Sequence, residues 1–225
     1  MFYDSTFLLV IPALLLALYA QYKVKSTYAK YSQVPCSRGY TGSQAARYIL
    51  DDYRLTDIGI ESIEGQLTDH YDPRAKKLRL SSGIYNGNSV AALGVAAHEA
   101  GHAIQDAKAY APLKLRNGLV PMTNLGTTLA FPLFILGMFV GIPQLMDAGI
   151  ILFSLAVAIS IITLPVEFNA SNRAIRVLAD GHFLNQTEIP MARQVLNAAA
   201  LTYVAAIAMA VMNLVRLLLL RSQRD

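Results

Sequence analysis

The spacing of charge is the strongest constraint on this chain. No charged residue occurs between Asp4 and Lys23, between Arg116 and Asp147, between Asp147 and Glu167, or between Arg193 and Arg216. A bilayer core about 30 Å thick is crossed by about 20 helical residues. The four intervals therefore predict four membrane spans, at roughly Ser5–Tyr22, Leu119–Ile142, Ala148–Val166 and Gln194–Leu220. Charged residues make up only 15% of the chain, against about 25% in an ordinary soluble domain. The first span lacks the basic flank and the small-x-small cleavage site of a signal peptide, so it reads as a retained anchor. In the second, Thr123, Asn124, Thr127, Thr128 and Pro132 are of types that membrane helices tolerate when neighbouring groups satisfy them. Arg216 lies close enough to the end of the fourth span to snorkel into the headgroups.

Five segments follow: an anchor (1–22), a polar region (23–117), two spans (118–166), a second polar stretch (167–193) and a last span (194–225). The net charge of +4 comes from basic residues that flank the spans, which fits a lipid bilayer as partner and not a nucleic acid. Cys36 is the single cysteine, so no disulfide forms within the chain and a cysteine zinc cluster is excluded.

Residues 23–117 form the one stretch able to make a sizeable polar domain. It opens with a basic, tyrosine-rich connector, Lys23–Tyr31, and a turn marked by Pro35 and Gly39. Thr41 is placed to cap a helix over Gly42–Tyr53, where Ala45, Ala46, Ile49 and Leu50 recur at helical spacing. Ile58–Thr68 reads as a strand region, Asp69–Pro73 as a turn, and Leu78–Leu80 as a short strand, a hairpin-like arrangement. Asn88 or Ser89 is expected to cap a helix over Val90–Ala107. Its first half is apolar on all sides, as in buried helices.

That helix carries His98-Glu99-Ala100-Gly101-His102. Positions four apart stack on one helix face, so His98 and His102 can present two imidazole nitrogens to one ion, with Glu99 beside them to take a proton from water at the ion. With four His in the chain, chance would supply roughly 0.002 such pentapeptides.

Catalytic zinc usually has three protein ligands and an open position. His70, His182, Cys36 and the carboxylates are candidates for the third. Glu167 stands out among them because it ends a span, where an ionisable group costs free energy unless paired or coordinated. Two predicted spans separate it from the His helix, so both emerge on the same side of the membrane. Lys23, Lys25, Lys30, Lys114, Arg116, Arg173 and Arg176 share that side, which the positive-inside rule makes cytoplasmic; Arg221 and Arg224 go against the rule.

The pentapeptide, taken with Glu167-Phe168-Asn169-Ala170-Ser171, resembles the YugP-type family of membrane-bound neutral zinc metallopeptidases. Asp69-His70-Tyr71-Asp72-Pro73, Leu78-Arg79-Leu80-Ser81 and the run Leu196–Ala206 carry the resemblance along nearly the whole chain. It is more distantly similar to the heat-shock and prenyl-protein zinc endopeptidases of membranes. The resemblance implies one Zn2+ per chain, held by His98, His102 and Glu167, with Glu99 as general base. The distant relatives carry an Asp four residues after the ligand glutamate, where this chain has Ser171. Ser171, Asn172 or a backbone carbonyl is then expected to orient a ligand instead.

The expected protein is mainly α and integral to the membrane, with about four transmembrane helices and a small α+β zincin-like catalytic domain. The expected activity is hydrolysis of peptide bonds in membrane or membrane-proximal polypeptides, with His182, Arg173, His70 and Tyr203 as candidates to stabilise the oxyanion. An extended substrate would add along a sheet edge near Leu67–Tyr71. A non-catalytic membrane metalloprotein, acting in assembly or quality control, is the alternative. A transporter accessory fits less well, because the later spans carry no charge away from their ends. Substrate identity and oligomeric state are not written in the sequence.

Overall fold

The computed structural model describes residues 5–223, less the side chains of Ser5, Pro121, Met122 and Leu125. The outermost residues of the expected first and last segments, Met1–Asp4 and Arg224–Asp225, lie outside the described residues. After a 3-10 turn at Ser5–Val10 come helices α1 (Ile11–Tyr31) and α2 (Gly42–Asp52), then strands β1 (Gly59–Ile63), β2 (His70–Asp72) and β3 (Lys77–Ser81). Helices α3 (Ser82–Tyr85), α4 (Val90–Ala107), α5 (Ala111–Val140), α6 (Pro143–Asp180) and α7 (Ile189–Ser222) complete the order.

Local chemistry sets the helix starts. Pro12 sits in the first turn of α1, where its missing N–H is unneeded. Thr41 caps α2 by accepting the Gln44 N–H, and the Gln44 side chain returns the bond to the Thr41 backbone, a capping box. Ser89 caps α4 by accepting the Ala92 N–H at 3.1 Å. The connector expected at Lys23–Tyr31 is instead the continuation of α1, since neither Gly nor Pro interrupts it.

The sheet departs from the expected arrangement. Residues 70–72, read as part of a turn, are strand β2. The turn follows them, because Asp72 Oδ1 accepts the N–H groups of Arg74 and Ala75 and reverses the chain after itself. The strand order is β1-β3-β2, with β3 parallel to β1 and antiparallel to β2. The hairpin is therefore β2–β3, and β1 and β2 are the two edges.

Three helices are long and apolar enough to cross a membrane: Thr6–Tyr31, Pro143–Asp180 and Ile189–Ser222. The second expected span, Leu119–Ile142, falls on α5, where the apolar stretch recognised is the shorter Gly126–Val140. Four spans were expected and three helices meet the criterion among the described residues. In α5 the side chains of three of the expected span's residues are outside the description.

The chain divides into two compact units. One comprises the segments up to Gln21, Lys114–Pro165 and from Leu201 on; the other is Tyr22–Leu113 with Val166–Ala200. In the first, Ala130, Phe134, Met146, Phe153, Val157 and Leu217 are buried together, while Leu15, Leu18, Phe139 and Ile151 are largely exposed, an outward apolar surface of the kind lipid covers. Arg216, expected to snorkel, donates from Nε to Thr6 Oγ1 at 3.3 Å and lies over the Phe7 ring. Arg221 pairs with Asp147 at 2.8 Å.

The second unit is built round α4. Leu93, Ala96, Ala100 and Ile104 of α4 pack with Ile49 and Leu50 of α2, Leu78 and Leu80 of β3, and Ala174 and Leu178 of α6. Beside this core, the carboxylate of Glu188 (5% exposed) accepts the N–H of Ser37 at 2.7 Å, the Ser37 hydroxyl at 3.2 Å and the N–H of Asn185 at 2.8 Å. It ties the 32–41 loop to the start of α7. Removing a charged acceptor from buried donors costs about 2 kcal/mol. Glu188→Ala is accordingly expected to lower the melting temperature of the detergent-purified protein by several degrees, and Glu188→Gln by less; an unchanged melting curve would refute the tie.

Candidate metal centre

The centre is a meeting of α4 with α6. His98 and His102 lie one turn apart on α4, their rings near perpendicular at 86° and 4.8 Å between centroids. Glu167 comes from α6 and is 2% exposed. Its Oε2 lies 3.3 Å from His98 Nε2 and 3.5 Å from His102 Nε2, and ligand atoms of all three residues fall within 4.8 Å of one another. Atoms bound about 2.1 Å from one zinc ion at tetrahedral angles are about 3.4 Å apart. The two separations from Glu167 match that ion.

Glycine makes the meeting possible. A Cβ on Gly101 would lie 2.9 Å from the carbonyl oxygen of Ala170 and 3.4 Å from its Cα, so only a residue without a side chain lets α6 come so close to α4. This contact stands one residue before His102 on one helix and one residue before Ser171 on the other.

The remaining imidazole nitrogens are held as well. His102 Nδ1 bonds Gln105 Oε1 at 3.0 Å, and Gln105 Nε2 donates to the Val166 carbonyl at 2.9 Å and to Asn169 Oδ1 at 3.0 Å. Because both Gln105 donors are spoken for on α6, its oxygen must face the histidine. That assigns the proton to His102 Nδ1 and leaves Nε2 as the donor atom. His98 Nδ1 pairs with Ser171 Oγ at 3.1 Å. Burial lowers the basicity of His102, yet its hydrogen bond to Glu167 and the charges of Glu99 and Glu167 outweigh this and raise its pKa. The same negative field favours a cation.

Glu99 is nearly buried, and its Oε2 accepts the backbone N–H of Tyr71 at 3.1 Å. Strand β2 is fixed at its start by Asp69, which accepts the N–H of Ser81 at 2.7 Å and its hydroxyl at 3.1 Å. Burial raises the Asp69 pKa, and the neighbouring Glu99 charge adds to the rise.

Of the other residues singled out from sequence, Ser171 joins the site and Asn172 next to it is exposed. Arg173 joins at one remove, donating from Nε to Asn169 Oδ1 at 2.7 Å. His70 is exposed on β2, its ring on the Thr68 carbonyl. His182 is in the turn after α6, its ring on the Ala179 carbonyl. Tyr203 lies on α7 in the other compact unit. Cys36 is buried and meets the Tyr40 carbonyl. Sequence reasoning missed Gln105, Asn169 and Tyr71. The signal for Gln105 was available: it sits three residues after His102, on the same helix face.

The family described as "Putative neutral zinc metallopeptidase" matches residues 6–222. The chain is 46% identical over 212 residues to the "Putative membrane protease YugP" of Bacillus subtilis (strain 168), covering 94% of each protein. No solved structure matches the chain.

Two substitutions separate donation from support. Glu167→Ala is expected to lower bound zinc sharply, and Gln105→Ala to weaken zinc about tenfold by freeing the His102 ring. Gly101→Ala is expected to weaken it as well, by pushing the helices apart. Zinc content and chelator competition on purified protein measure all three. Wild-type affinity in Gly101→Ala would show that the close approach is not needed.

Proposed function

The chain belongs to the family described as "Putative neutral zinc metallopeptidase", and on that premise we propose that it is a membrane-embedded zinc endopeptidase. The observation that carries this reading is the gathering of His98, His102 and Glu167 within 4.8 Å beside the carboxylate of Glu99. A bound zinc ion supplies Lewis acidity, which polarises a carbonyl and makes a water acidic near neutral pH. His98, His102 and Glu167 hold the ion. Ser171 and Gln105 orient the two rings. Glu99 takes a proton from the attacking water and delivers it to the leaving amine; Glu99 Oε2 is the oxygen held by Tyr71. Water near this carboxylate is limited by its burial.

Strand β2 is an edge of the sheet, and β2 lies against α4 through Tyr71. A substrate in extended form can add beside it by donating a main-chain bond to the outward Tyr71 carbonyl, the Tyr71 N–H being held by Glu99. Such bonds tolerate varied side chains. Hydrolysis in this reading acts on membrane or membrane-proximal polypeptides. The chain crosses the bilayer four times, α5 contributing the second span, with the site on the cytoplasmic side, where Lys23, Lys25, Lys30, Lys114 and Arg116 also lie. The rival reading is a metalloprotein that keeps the ion for stability and cuts nothing.

One comparison separates them. Detergent-purified, zinc-loaded wild type is incubated with a mixture of unfolded proteins beside Glu99→Gln, and new N-termini are counted. Cleavage by wild type alone is expected. Equal cleavage by both would indicate a contaminant, and none by either, from protein that retains its zinc, would favour the non-catalytic metalloprotein.

A further inference from the structure

Tyr71 touches α4 twice. Its backbone N–H reaches Glu99 Oε2 at 3.1 Å, and its phenol donates to Asp106 Oδ2 at 3.0 Å. Asp106 lies seven residues after Glu99 on α4, two helical turns along the same face. Tyr71 stands opposite Leu78 in the antiparallel β2–β3 pair. Because its N–H points to Glu99, this is a non-hydrogen-bonded position, and its carbonyl faces outward too. A strand of three residues at a sheet edge has little stiffness of its own. The Asp69–Ser81 bonds fix its start, and the Asp72 turn fixes its end. The middle is fixed by the phenol. Burial, and then the Asp106 charge, push the Tyr71 pKa up, so the phenol keeps the proton it donates.

We propose that Tyr71, latched to Asp106, is a positioning residue for Glu99: the latch holds the β2 amide against one carboxylate oxygen and aims the other at the attacking water. This rests on the peptidase reading above. A carboxylate with one oxygen tied has fewer rotamers to search than a free one, and misplacement of a proton acceptor by a fraction of an ångström is costly to the rate.

The test uses the zinc-loaded full chain in detergent, with Tyr71→Phe, Asp106→Ala, Asp106→Asn and the double variant Tyr71→Phe/Asp106→Ala. Asn keeps an acceptor for the phenol. Two readouts are taken: cleavage of denatured casein, and backbone hydrogen exchange of the peptide spanning His70–Asp72. Expected are faster exchange and a kcat about tenfold lower in Tyr71→Phe and Asp106→Ala, with KM within about twofold and zinc content unchanged. Asp106→Asn should recover to within about threefold of wild type, and the double variant should be no worse than either single. Unchanged exchange would overturn the latch. Faster exchange with unchanged kcat, or a fall in kcat matched by loss of zinc, would overturn the positioning role. Should wild type show no Glu99-dependent cleavage, the peptidase reading falls and takes the positioning role with it, while the exchange still reports whether the contact exists.

Discussion

Everything in the candidate centre depends on two helix backbones coming into contact at one point. The carbonyl of Ala170 sits where a side chain on Gly101 would be. With an ordinary residue there, α4 and α6 would stand further apart, and Glu167 could not lie within 3.5 Å of both imidazole Nε2 atoms. Ser171 and Asn169 would lose their partners on α4 by the same displacement. One missing methyl group thus sets four polar contacts at once. The pentapeptide's fourth position is not a spacer between ligands but the surface on which the second helix rests.

Polar groups buried at such a contact are costly unless each finds a partner. The centre meets this requirement by sharing. Asn169 Oδ1 accepts from both Gln105 and Arg173, and Gln105 both donates to α6 and accepts from His102. Removing any member leaves another unsatisfied in a poorly solvated place, so the network specifies one arrangement more than it adds stability. It also fixes the histidine tautomer, since Gln105 can turn its amide only one way.

Much of the local structure was legible because its causes are local. The start of α4 follows from the Ser89 cap, and that of α2 from the Thr41–Gln44 box. The Lys23–Tyr31 segment misled because charge was read as a connector, whereas Lys is a good helix former and neither Gly nor Pro interrupts the run. Asp72-Pro73 did signal a turn, but the Asp side chain acts on residues after it, which left 70–72 free to be strand. The parallel pairing of β1 with β3 was out of reach, since alternation says which face is buried and not which strand lies beside which. Glu167 was noticeable because a carboxylate at the end of an apolar run needs a reason. Asn169 gave no such alarm: its partner on α4 is more than sixty residues away, which no spacing rule encodes.

The order of the donors along the chain bears on how the protein is made. His98, Glu99 and His102 are synthesised first, with α5 and α6 still to come. A chain interrupted before Glu167 holds two imidazoles and a base, but not the third donor, nor Ser171, nor the helix that rests on Gly101. The loop at Ser37 waits longer still, for Glu188. The amino-terminal half is thus a set of parts without a centre, and only a finished chain can assemble one. A centre completed last is absent from every chain that stops short of Glu167.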